Sequence, residues 1–79
     1  MLRRGTVVVS LKGHDQGTLM CVLGVNEKAV LVCDGRERKL SKPKSKNPKH
    51  IRPLDRYLSE EQLRTDKQIR KALKLIAEE

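Results

Sequence analysis

Between two apolar stretches the chain reads Lys12-Gly13-His14-Asp15-Gln16-Gly17-Thr18. Glycine tolerates positive φ and lets another molecule approach the backbone closely, so this spacing suits a tight loop that touches a ligand. Lys12 and His14 flank the turn and can reach phosphates, and exposed amides in such a loop can donate to phosphate oxygens. A second set of cationic groups follows Asp34-Gly35: Arg36, Arg38, Lys39, Lys42, Lys44, Lys46, Lys49, His50 and Arg52. Residues 36–56 hold nine Lys and Arg against two acidic residues, whereas residues 57–79 hold five of each. Nearly all of the net charge of +8 therefore sits in the middle of a 79-residue chain. Concentrated like charge is self-repulsive in a compact fold, and a polyanion relieves it, so nucleic acid is the expected partner.

Other chemistries fit the residues less well. Cys21, Cys33, His14 and His50 are zinc-ligand types, but there is no Cys-x-x-Cys and no His pair, so neither a metal nor any other cofactor is expected. His14 and Asp15 are adjacent without an evident third partner, and no nucleophile, base and orienter can be nominated; the chain reads as a non-enzyme without a small-molecule substrate. Tyr57 is the single aromatic residue. One ring builds neither a proline-recognition groove nor a methyl-lysine cage. It also limits base stacking, which points to folded RNA bound through phosphate contacts and shape, with Arg36, Arg38 and Arg52 able to fork onto phosphates or stack on exposed bases. Membrane binding is disfavoured because the positive excess lies in a proline-containing stretch rather than on an amphipathic helix. The N-terminal apolar run is three valines, too short for a signal peptide, and no run approaches a membrane span. The expectation is a soluble cytoplasmic protein whose cysteines are free thiols.

The elements that must position these groups follow from periodicity. Thr6–Leu11, Leu19–Val25 and Ala29–Cys33 read as short strands, the last two joined at Asn26-Glu27-Lys28 by a hairpin loop of two to three residues. A three-residue loop there sets Cys21 opposite Cys33. Asp34-Gly35 turns the chain into a fourth strand near Arg36–Leu40, and a fifth lies at His50–Arg52, ended by Pro53. Ser41–Lys49 reads as a solvated, mobile loop. Leu19, Cys21 and Leu23 form one apolar face of their strand, and Met20 and Val22 the other. One face fills a barrel and the other needs a cover. Ile69, Ala72, Leu73 and Ile76 form a helical stripe that supplies it. Ser59–Gln62 and Thr65–Gln68 are both capping boxes, so the tail is either one helix from Ser59 or a turn followed by a helix from Asp66. Acidic neighbours are expected to neutralise Lys67, Arg70, Lys71 and Lys74 on that tail.

The ordered run Gly5-Thr-Val-Val-Val-Ser10, the Gly13–Gly17 loop, Val25-Asn-Glu-Lys-Ala-Val-Leu-Val-Cys-Asp-Gly35 and a basic stretch ending in His50-Ile-Arg-Pro-Leu54 resembles KOW-motif proteins. It is most similar to the fourteen-e family of large-subunit ribosomal proteins, in its short bacterial branch. The resemblance covers residues 3–54. It implies a mainly β fold, an SH3-like barrel of about five short strands over residues 1–56, with the C-terminal helix of residues 57–79 packed on or beside it. It further implies a non-catalytic protein that binds ribosomal RNA of the large subunit beside neighbouring ribosomal proteins. Lys12, Gly13, His14 and Gly17, then the basic residues after Gly35, would face the RNA. The alternative is a KOW module of a transcription-linked factor contacting RNA polymerase or nascent RNA.

Overall fold

The computed structural model describes residues 2–79. Five strands, β1 (Thr6–Ser10), β2 (Leu19–Val25), β3 (Val30–Cys33), β4 (Lys44–Lys46) and β5 (Ile51–Tyr57), precede one helix, α1 (Asp66–Ala77). The strands form a single antiparallel sheet in the order β4-β3-β2-β1-β5. The expected mainly β domain with a C-terminal helix is therefore present. The barrel is not closed, because no ladder joins the edge strands β4 and β5.

The sheet is nonetheless strongly curled. Laid flat, its edges would lie about 19 Å apart at the usual strand spacing. Only Asn47–His50 separates β4 from β5, and Pro48–His50 of that link is a 3-10 turn. Such a turn rises only about 2 Å per residue, so the link is short enough to require the two edges to approach each other.

Curling gives the sheet two apolar faces. Val8, Met20, Val22, Val30, Val32 and Ile51 pack together on one. Val7, Cys21 and Cys33 pack on the other against Leu58, Leu63, Ile69, Ala72 and Leu73. Adjacent residues of β1 and β2 thus serve opposite cores, as strand alternation requires. The helix is the cover. Ile69 is fully buried there, a contribution of about 2 kcal/mol for a side chain of its size. The Ser59–Gln62 capping box forms in full, and at Thr65–Gln68 the hydroxyl cap alone forms. The Ser59 N–H donates to Gln62 Oε1 at 2.9 Å and the Gln62 N–H to Ser59 Oγ at 3.2 Å, over a turn rather than a helix. Thr65 Oγ1 accepts from the Gln68 N–H at 3.1 Å and starts α1 at Asp66.

Several boundaries differ from expectation. No strand forms at Arg36–Leu40. Instead Asp34 Oδ1 accepts from the Arg36 and Arg38 amides at 2.8 and 3.0 Å, and this side-chain-bonded turn competes with extended backbone. The Ser41–Lys49 loop is not uniformly loose. Lys44–Lys46 is β4, pairing Val30 with Lys46 and Val32 with Lys44. Pro53 does not end the last strand but lies within β5, opposite Val8. This is allowed because β5 is an edge, where a missing donor breaks no second ladder. The β2–β3 loop is Asn26–Ala29, one residue longer than expected, and Cys21 still faces Cys33 because the register shifts between Val22 and Gly24.

Candidate nucleic-acid interface

The loop from β1 to β2 is held by its own backbone and by a lysine from far along the chain. Gly13 and Gly17 have φ of 95° and 85°. The Gly17 N–H donates to Ser10 O at 2.8 Å and the Thr18 N–H to Asp15 O at 2.9 Å, folding the turn back on β1. Under it lies Lys46. Its Nζ donates to Ser10 Oγ at 2.7 Å, Lys12 O at 2.8 Å and Asp15 Oδ1 at 2.9 Å. Ser10 Oγ also donates to Asp15 Oδ1 at 2.8 Å, and Lys44 Nζ stands 3.3 Å from Asp15 Oδ2. Burial alone would raise the Asp15 carboxyl. The hydrogen bonds from Lys46, Ser10 and Lys44, with the Lys46 charge, outweigh burial and hold it well below the usual carboxylate range.

This cluster corrects the assignment of Lys46. It is 7% exposed and all three of its donors have partners, so it shapes the loop from beneath rather than offering charge to RNA. Lys44 is half committed to the same carboxylate. Asp15 and Ser10 were missed as organisers. A signal existed: Asp15 is the only acidic residue before Glu27, and an acid within a loop expected to meet phosphate demands neutralisation.

The upper side of the loop is open. Lys12, Gly13 and His14 are exposed, and among the described residues the amides of Lys12, Gly13, His14 and Asp15 donate to no protein acceptor. Successive free amides around a positive-φ glycine form an anion-binding concavity. Neighbouring segments converge there. His14, Thr18, Glu37 and Arg38 line one shallow cleft, and Gly17, Thr18, Arg36, Arg70 and Lys74 line another. The Leu11 N–H donates to His50 O at 2.8 Å, tying the 3-10 turn to the loop's root. Lys39, Lys42, Lys49 and Arg52 are exposed and form no ion pair among the described residues. The structure thus brings Lys12, Gly13, His14, Gly17, Arg36 and Arg38 around the loop. Arg52, paired with Val9 on β5, stands further along the sheet edge.

Tyr57 lies opposite Thr6, at the other end of β1 from the loop, with the Arg3 guanidinium 4.2 Å from its ring centre. The one aromatic ring is thus no part of the loop. Cys21 Sγ and Cys33 Sγ are 3.7 Å apart, well beyond a disulfide bond length of about 2.05 Å. The hydrogen bond to Cys33 and burial push the Cys21 thiol up, the same bond draws Cys33 down, and the two sulfurs pack side by side as small buried groups. Among the described residues no three or more His, Cys, Asp or Glu side chains cluster to hold a metal ion, and no helix is long and apolar enough to cross a membrane. Compared with protein-family models and with curated proteins, the chain finds no match.

Proposed function

We propose that this protein is a non-catalytic RNA-binding protein of the KOW type, an SH3-like barrel that binds ribosomal RNA through phosphate and shape contacts as a ribosomal or ribosome-associated protein. One observation carries the RNA-binding part: a glycine-bracketed loop with free amides, fixed from below by the Lys46–Asp15 pair, amid exposed cations. A loop already fixed in shape loses little conformational freedom on meeting a phosphate backbone. The ribosomal part rests on the resemblance of residues 3–54. The SH3-like part is supported by the curl that the short link from β4 to β5 imposes.

The test is co-sedimentation with purified large ribosomal subunits over a range of salt. The protein is expected to pellet with the subunits and to leave them as salt rises. With about four to six phosphate contacts, the log–log slope of affinity against salt is roughly −3 to −5, taking the duplex coefficient. A slope near zero removes the phosphate mechanism. Failure to pellet, together with binding to RNA polymerase, replaces the ribosomal reading with the transcription module.

A further inference from the structure

The cleft between the Gly17–Leu19 segment and α1 has a composition that the loop lacks. Its volume is about 290 Å³, with Arg36, Arg70 and Lys74 among its charged lining and Leu19, Leu73 and Ala77 as its apolar surface. Asp34 also lines it, but that side chain is buried and accepts from the Arg36 and Arg38 amides. Two of the acids expected to neutralise α1 have other partners. Asp66 Oδ1 accepts from the Leu40 amide at 2.8 Å, and Glu79 pairs with Arg56. Arg36 and Lys74 form no ion pair among the described residues.

The cleft is built into the fold. Gly35 has φ of 78°, and a Cβ there would run into the Asp66 carbonyl and the Arg70 side chain, so the turn and the helix meet at glycine distance. Arg70 Nη1 donates to Gly35 O at 2.8 Å, which anchors its guanidinium at the cleft. At the mouth Gly17 presents bare backbone, with nothing within 4 Å of where a Cβ would stand.

We infer that this cleft receives one unstacked nucleotide of the bound RNA. The inference rests on the RNA-binding reading above. A lone phosphate has no use for the apolar surface, and an apolar peptide has no use for three cations. A nucleotide has both an anionic phosphate and a base with apolar faces. Splayed-out bases stack on guanidinium planes as well as on aromatic rings, and Arg70 supplies such a plane in a cleft that no ring lines. Arg36 and Lys74 take the phosphate. The volume falls just short of the roughly 300 Å³ at which small-ligand pockets begin, so the open cleft has room for one nucleotide and not for a duplex.

Two RNA hairpins that differ by a single bulged nucleotide test this by fluorescence anisotropy. The bulged hairpin is expected to bind about tenfold more tightly, as stacking one base on a platform allows. Arg70→Lys keeps the charge and removes the plane. Ala77→Glu places an acid at the cleft. Each should collapse the affinity ratio towards one, whereas Lys42→Gln with Lys49→Gln should weaken both hairpins and preserve the ratio. Melting temperatures of the variants control for folding. Equal wild-type affinity for the two hairpins overturns the cleft inference and leaves the RNA-binding reading standing. Binding to neither hairpin overturns that reading, and the cleft inference with it.

Discussion

Strand β4 and the segments on either side of it have nearly the same composition. Lys42-Pro43 precedes Lys44-Ser45-Lys46, and Asn47-Pro48-Lys49 follows. In the strand the lysines turn to Asp15, and Lys46 is almost fully buried. Outside it, Lys42 and Lys49 are exposed and form no ion pair among the described residues. Residue type therefore does not decide whether a lysine binds a partner or builds the scaffold. What decides it is whether a remote carboxylate stands where the chain's curl brings the ammonium. The comparison gives the positive patch two roles: two lysines shape the loop and two remain available to a polyanion.

The largest expected effect is at Lys46. Lys46→Met keeps the stem and removes the ammonium, leaving a largely enclosed Asp15 carboxylate with only Ser10 and Lys44. Removing one partner of a buried pair costs about 3 kcal/mol, read as a fall in the denaturant midpoint. Adding Asp15→Asn should restore about half of that loss, because a neutral pair of groups replaces an orphaned charge. If Lys46→Met is as stable as the parent, the division between β4 and its flanks collapses.

Acid sharpens the same contrast. The folded Asp15 carboxyl titrates below its unfolded value of about 3.9. Its contribution is therefore fully present above that value and is lost as pH falls through it towards the folded value. Between about pH 5 and about pH 2 the parent should lose more stability than Asp15→Asn, with midpoints measured at matched ionic strength. Equal losses would mean that the carboxylate is no better held in the fold than in the unfolded chain.

Much of the fold was legible because period and polarity agree locally. The two faces of β2 were read from alternation alone, and the α1 stripe from its i, i+3, i+4 spacing. Thr65 and Ser59 announced their turns through side chains that bond within three residues. The illegible parts depend on distance along the chain. Lys-Ser-Lys with a proline on one side reads as loop. It becomes strand because β3 offers an open edge and Asp15 lies 31 residues from Lys46. Pro53 reads as a terminator unless its strand is known to be an edge, which only the assembled sheet reveals. At the candidate site the loop and its cations were visible as motif and charge. The cleft beside α1 was not, because Arg36 and Arg70 are brought together only by the close approach of Gly35 to Asp66.

The smallest stability effect and the most informative binding effect belong to Lys42 and Lys49. Among the described residues neither side chain has a protein partner to lose, so changing both to Gln should move stability by no more than about 0.5 kcal/mol each. Binding is a different matter. Each lysine that neutralises a phosphate releases condensed counterions, and the salt slope counts them at roughly 0.9 per contact on duplex and 0.7 on single strands. The double variant should therefore bind large subunits more weakly and flatten the slope by about 1.4 to 1.8. Lys44→Gln should flatten it by less than one full contact, because its ammonium is shared with Asp15 at 3.3 Å. The order of the two is what matters. If Lys44→Gln flattens the slope as much as the Lys42 and Lys49 pair does, the strand lysines face the polyanion after all. A double variant that binds with an unchanged slope would place the contact surface elsewhere, and the exposed Arg36 and Lys39 with the half-buried Arg38 would be the next to change.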